Sequence, residues 1–251
     1  MYKIGSLFSG IGGFELGLER GIPNSKTVWQ VEQNSFCQKV LKKHWPEAII
    51  YDDVRKVNSS NVEKVDILCG GFPCQDISLA GVRRGIYEGE KSSLWWEFHR
   101  IISELRPRIV VLENVAAILS LGGREVVESL TEIGYDSEWS IIRTGADFGA
   151  PHSRERWFCV AYPSSIIGTR KPFQACNDEK VSFKKIFLGA AGSSCNENQS
   201  YWKRHKNPPP FCRVGDGIPD RLHRLRALGN AITPQSSEFI GRLIHQSGLL
   251  D

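Results

Sequence analysis

Short apolar runs recur along the chain, and helical patterns fill the intervals between them. Residues 4–8, 27–31, 48–51, 65–68 and 109–112 each read as a strand. Their side chains are apolar with little alternation, as expected when both faces of a sheet are covered. Helical spacing follows through Phe14, Leu16 and Leu18, then over about residues 35–44, 94–105 (ended near Pro107) and 124–133. Two further strands are expected near residues 135–143 and 156–162. Strands that alternate with helices predict an α/β fold built on a mostly parallel sheet.

In such sheets ligands bind beyond the carboxyl ends of the strands. Here the first strand is followed by Ser9-Gly10-Ile11-Gly12-Gly13 and the second by Glu32. The third is followed by Asp52-Asp53-Val54, the fourth by Pro73-Cys74-Gln75, and the fifth by Glu113-Asn114-Val115. Five strand ends in succession therefore place glycine or polar groups along one edge. The glycines let a backbone approach a ligand closely. Glu32 stands about twenty residues on, where a carboxylate can accept from ribose hydroxyls. Tight packing alone would also explain a glycine turn, and the spacing is not the G-x-G-x-x-G of dinucleotide enzymes.

The stretch "GGFPCQDIS" sets Cys74 behind a proline and two glycines. Gly70 and Gly71 are expected to form a tight turn, with Pro73 fixing the approach to Cys74. A thiolate is a strong, soft nucleophile near neutral pH. A buried Glu113 at the neighbouring strand end would stay protonated and serve as an acid, and Arg154 and Arg156 supply fixed donors. A lone cysteine can equally be a small core residue, and Glu-Asn can be a cap or a turn.

The seven cysteines of the 251-residue chain are odd in number and dispersed, without Cys-x-x-Cys. That argues for a reducing cytosol and against a disulfide framework or a zinc site, so no metal is expected. No apolar run is long enough to span a membrane, and no secretory signal pattern opens the chain. Residues 164–213 break the α/β rhythm and hold nine lysines and arginines against three acids. Phe173, Phe183, Phe187, Tyr201 and Trp202 are interleaved there. This irregular lobe fits a nucleic-acid surface, although a solvated basic loop would carry the same charge. Helical patterning returns over residues 216–248. The expected organisation is a catalytic domain over 1–163, the lobe over 164–213, and a helical segment over 214–251 that returns to the first domain.

Five stretches resemble the cytosine-C5 DNA methyltransferases, in that family's order: "LFSGIGGFELGLE", "GGFPCQDIS", "VVLENV", "GAPHSRERWF" and "RLRALGNAITPQ". The resemblance implies a Rossmann-like S-adenosylmethionine-dependent fold with a small target-recognition lobe, S-adenosyl-L-methionine as methyl donor and S-adenosyl-L-homocysteine as product. It implies that Phe8, Gly10, Gly12, Gly13 and Phe14 shape the cofactor pocket, that Glu32 holds the ribose, and that Asp53 and Val54 meet the adenine. Leu94 and Asn230 would border the same pocket. Cys74, Glu113, Arg154 and Arg156 would handle the cytosine, with Pro73, Gln75, Ser78, Arg83, Arg84 and Asn114 near the substrate. The family often has Gln where this chain has His152, so no role is assigned to that side chain.

By the same implication, the thiolate of Cys74 adds to C6 of a cytosine flipped out of duplex DNA, which makes C5 nucleophilic. Residues 76–93, with three glycines and two adjacent arginines, are expected to form a mobile loop that closes over the DNA. A monomeric, cytoplasmic enzyme of bacterial or phage type is expected. Two alternatives stay open: a transfer-RNA cytosine-C5 methyltransferase on the same scaffold, and a DNA-binding homologue without turnover.

Overall fold

The computed structural model describes residues 1–73, 94–144, 154–165 and 227–250. Seven strands form one sheet: β1 (Tyr2–Leu7), β2 (Ser25–Val31), β3 (Ile49–Tyr51), β4 (Ile67–Gly71), β5 (Ile109–Val115), β6 (Tyr135–Arg143) and β7 (Glu155–Pro163). Their order across the sheet is β3-β2-β1-β4-β5-β7-β6. The pairings among β1 to β5 are parallel. β7 runs antiparallel to both β5 and β6. The chain winds outward from β1 to β3 and then restarts at β4 on the other side of β1. The ends of β1 and β4 therefore flank a topological switch point, where an open sheet leaves a crevice.

The apolar runs lack alternation because each face has its own cover. Leu68, Val110 and Leu112 point into one core with Trp95, Phe98, Ile101, Val126 and Leu130. These last come from helices α3 (Leu94–Leu105) and α5 (Gly123–Glu132). Ile67, Cys69, Ile109 and Val111 point into the other core, with Phe14 and Leu18 of α1 (Gly13–Gly21) and Ile240, Leu243 and Ile244 of α6 (Pro234–Ser247). A hydroxyl also ties α6 to α1, Ser237 Oγ donating to Gly13 O at 3.0 Å. Helix α2 (Ser35–His44) begins at Asn34, whose side chain accepts from Phe36 N and Cys37 N. The short α4 (Ile118–Leu121) follows β5 directly and was not expected from the sequence.

Two expectations are corrected. Gly70 and Gly71 do not form a turn: they extend β4, and Gly71 pairs with Glu113 of β5. What they provide is closeness. A Cβ on Gly70 would sit 2.4 Å from Leu7 O, and one on Gly71 2.6 Å from Glu113 Oε2. Secondly, the fifth strand does not stop before Glu113. It runs through Glu113, Asn114 and Val115, which pair with Phe158, Trp157 and Arg156 of β7. The expected lobe lies outside the described residues from 166 onward, as do residues 216–226. Among the described residues, no helix is long and apolar enough to cross a membrane.

Candidate active site

A cleft of about 680 Å³ opens at the carboxyl ends of β1, β2, β4 and β5. Phe8, Gly10, Glu32, Asp53, Val54 and Leu94 line one part of it, and Pro73, Glu113, Asn114, Arg154 and Arg156 line another. Asn230, from the stretch before α6, also lines it. The volume lies within the range of small-molecule and cofactor sites.

The glycine turn shapes the first part. Phe8 (φ 57°), Gly10 (φ 56°) and Gly12 (φ 86°) all take left-handed backbone. That conformation costs a bulky residue such as Phe8 about 1–2 kcal/mol, so the surroundings must hold it. A Cβ on Gly10 would meet open space, which places this peptide at the cleft surface. Glu32 pins the turn: Gly10 N donates to Glu32 Oε2 at 2.7 Å, and Asn34 N donates to Glu32 Oε1 at 2.7 Å. Each carboxylate oxygen has a second lone pair, so Glu32 can brace two loops and still accept from a ligand. Asp53 caps the 3-10 turn Val54–Lys56 and accepts from both Arg55 N (3.0 Å) and Arg55 Nε (2.9 Å). The Arg55 side chain, followed by its backbone N–H, holds the Asp53 carboxyl below its ordinary range.

The second part rests on strand register. Glu113 lies opposite Phe158, and Val115 lies opposite Arg156. Glu113 and Arg156 are therefore diagonal neighbours on one face of an antiparallel pair. Arg156 Nε meets Glu113 Oε1 at 2.8 Å. Glu113 is 8 % exposed. Burial pushes its carboxyl up to about 7, against the opposing pull of Arg156 and Arg154. An acid poised there can hold a proton at neutral pH and also release it. Burial, followed by the like charge of Arg156, lowers the pKa of the half-buried Arg154. Asn114 works mainly on the protein: its Nδ2 donates to Phe72 O at 3.0 Å and its Oδ1 accepts from Val115 N at 2.8 Å. It thereby holds the segment leading to residue 74 against the end of β5.

Gly13 and Phe14 line a smaller adjoining cavity of about 40 Å³ instead of the main cleft. Phe14 also packs edge-on against Phe158. Gly12 lines neither cavity: its Cα faces the Trp45 ring, where a Cβ would sit 2.2 Å from Cζ3. Cys74, Gln75, Ser78, Arg83 and Arg84 lie outside the described residues. Asn34, Cys37 and Arg55 line the cleft without having been singled out, and so does Asp52, read only as a polar group at the third strand end. Of these, Asn34 was legible, since an Asn directly before a helical pattern is a cap. The Cys37 thiol is no nucleophile there, because burial and then Glu32 push it up to about 11.

Comparison with known proteins places this arrangement. The family model for C-5 cytosine-specific DNA methylase matches residues 2–207. The type II methyltransferase M.CviJI of Paramecium bursaria Chlorella virus IL3A is 41% identical over 235 residues, covering 93% of this chain and 56% of that protein. M1.ScrFI of Lactococcus lactis subsp. cremoris is 30% identical over 211 residues, covering 82% of this chain and 53% of that protein. The chain thus spans about half the length of the curated relatives it matches. The crystal structure of the S. pombe Dnmt2 methyltransferase superposes with a TM-score of 0.65 at 15% identity, covering 97% of this chain and 98% of that one. The fold is thus the Rossmann-like one of these methyltransferases, and the chain belongs to the C-5 cytosine-specific DNA methylase family.

Proposed function

We propose that the chain transfers a methyl group from S-adenosyl-L-methionine to C5 of a cytosine in duplex DNA, as a cytoplasmic monomer and without a metal. The observation that carries this reading is the buried Glu113–Arg156 pair in the same cleft as Gly10 and Glu32. The residues present fit the cofactor. Glu32 would accept from the ribose hydroxyls, Asp53 and Val54 would border the adenine, and the open peptide at Gly10 would let the chain approach closely. When bound, the cofactor supplies an electrophilic methyl and leaves as S-adenosyl-L-homocysteine.

The protein's own groups then prepare the base. The target cytosine leaves the stack, at a cost of a few kcal/mol. Cys74, one residue beyond the cleft-lining Pro73, adds as thiolate to C6. Glu113, protonated near neutral pH, donates to N3 and so lets the ring accept the electron pair. The Arg156 guanidinium holds O2 as negative charge develops there. C5 takes the methyl and gives its proton to water or a side-chain base, N3 returns its proton to Glu113, and the thiolate departs from C6 with restoration of the aromatic ring. Ser78, Arg83 and Arg84 would close over the substrate, and the basic residues of 164–213 would contact phosphates.

The test is transfer of labelled methyl from S-adenosyl-L-methionine to duplex DNA and, separately, to transfer RNA, with Cys74→Ser beside the wild type. DNA labelling that Cys74→Ser reduces by about 10⁴-fold or more is expected. Labelling of transfer RNA alone would refute the substrate, and full activity in Cys74→Ser would refute the mechanism.

A further inference from the structure

Glu15 lies in the first turn of α1, directly after the glycine turn, and its side chain is fully buried. The groups around it are Gln30 of β2, Ser6 of β1, Ser9 of the turn and Cys69 of β4. None of them carries a positive charge, and burial pushes the Cys69 thiol well up, which keeps it neutral. Gln30 Nε2 donates to Glu15 Oε1 at 3.0 Å. The remaining atoms of the same two groups, Glu15 Oε2 and Gln30 Oε1, are both buried and both without a hydrogen-bond partner. The backbone N–H of Glu15, then Gln30, Ser6 and Ser9, favour the charged form, but burial outweighs them, and Ser9 Oγ engages Ser6 Oγ at 2.9 Å. Neither of the two cavities described above is lined by Glu15 or Gln30.

A buried carboxyl oxygen and a buried amide oxygen, each without a hydrogen-bond partner, are an arrangement that folded proteins avoid. A proton on Glu15 Oε2 would give both a partner. We infer that Glu15 is protonated and closes a two-bond ring with Gln30, Oε2–H donating to Gln30 Oε1 while Gln30 Nε2–H donates to Glu15 Oε1, and that this neutral clasp positions the glycine turn for the cofactor. Turning the Gln30 amide over exchanges the two oxygens but still needs the proton on Glu15. Burial is also the largest influence on Glu15 and raises its pKa.

The clasp has a position that matters for binding. Gln30 lies in β2 two residues before Glu32, which directly follows the end of that strand. Two links already tie the turn to that strand: Ser9 N to Val31 O at 3.0 Å and Gly10 N to Glu32 Oε2 at 2.7 Å. The Glu15–Gln30 ring adds a third, from the start of α1. It acts through the turn and touches no ligand, so Glu15 is a positioning residue. This role rests on reading the cleft as the cofactor site.

Infrared spectroscopy reads the proton without any cofactor. At about pH 8.5, where ordinary carboxyls are ionised, and in a Glu113→Gln background that silences the other raised acid among the described residues, a carboxylic-acid carbonyl band from Glu15 is expected. Adding Glu15→Gln should remove it. Absence of the band, or its survival in Glu15→Gln, overturns the clasp. Calorimetric titration with S-adenosyl-L-methionine then tests the positioning role. Glu15→Gln rebuilds the ring with an amide and should bind within about 2-fold of wild type, whereas Glu15→Ala should bind at least about 10-fold more weakly. Equal weakening in both variants overturns the positioning role. A wild type that shows the band yet binds no S-adenosyl-L-methionine refutes the cofactor reading and the positioning role, while the protonated clasp stands.

Discussion

The two parts of the cleft are organised on opposite principles. Around Gly10 and Glu32, backbone N–H groups and short polar contacts hold a carboxylate that stays partly open to solvent. Around Glu113, burial raises a carboxyl to about 7 while an arginine holds it from one side. The first arrangement suits recognition, because its acceptors are already held in place at the surface of the cleft. The second suits chemistry, because its acid lies near the point where it changes state. A single sheet supplies both. The parallel strands β1, β2 and β4 bring loops to the rim, and the antiparallel β7 brings Arg156 alongside Glu113.

The contrast can be broken by mutation, and the largest effect should come from the buried acid. Glu113→Gln keeps the shape but loses the proton donor, and kcat should fall about 10²- to 10⁴-fold. Cofactor affinity, measured by equilibrium titration, should stay within about 2-fold. Gly71→Ala comes next. Its Cβ would lie 2.6 Å from Glu113 Oε2, so the carboxyl must shift and kcat should fall about 100-fold, the scale of a misplacement near 1 Å. Glu32→Ala should do the reverse of Glu113→Gln. It removes an ionised acceptor, worth about 1.5–3 kcal/mol, so S-adenosyl-L-methionine should bind roughly 10- to 100-fold more weakly, with kcat at saturation nearly kept.

The smallest effect is a slope. Activity that needs the protonated Glu113 should show kcat/KM falling about tenfold per pH unit above about 7, and this arm should vanish in Glu113→Gln. Stability follows the same direction. The folded-state pKa of Glu113 is raised, so its contribution is fully present below the unfolded value near 4.5 and is lost as pH rises through about 7. Denaturant titration of the two proteins across that window would detect it.

Much of this was legible in the sequence for a definite reason. Runs such as residues 109–112 are apolar throughout because alternate side chains enter different cores. The bounds of α2 and α3 agree with their sequence patterns, Asn34 capping one and Pro107 following the other. What was not legible depended on partners remote in sequence. Gly70 and Gly71 read as a turn because nothing local reveals Leu7 O and Glu113 Oε2 beside them. Asn114 lines the cleft, but nothing local reveals that its amide donates to Phe72 O, 42 residues away in the chain. Glu15 was not singled out, because the Gln30 amide that meets it in the buried interior lies 15 residues on in the chain.

The most direct measurement concerns the adduct itself. Duplex DNA in which the cytosines of one strand carry fluorine at C5 allows attack and methyl transfer but blocks the last step, because fluorine does not leave as a proton does. Incubated with S-adenosyl-L-methionine, the protein should form a covalent complex whose mass is that of protein plus DNA plus one methyl group, and peptide mapping should place the link at Cys74. A protein that methylates ordinary DNA yet forms no such complex, or forms it through another residue, would contradict the assignment of Cys74 as the nucleophile.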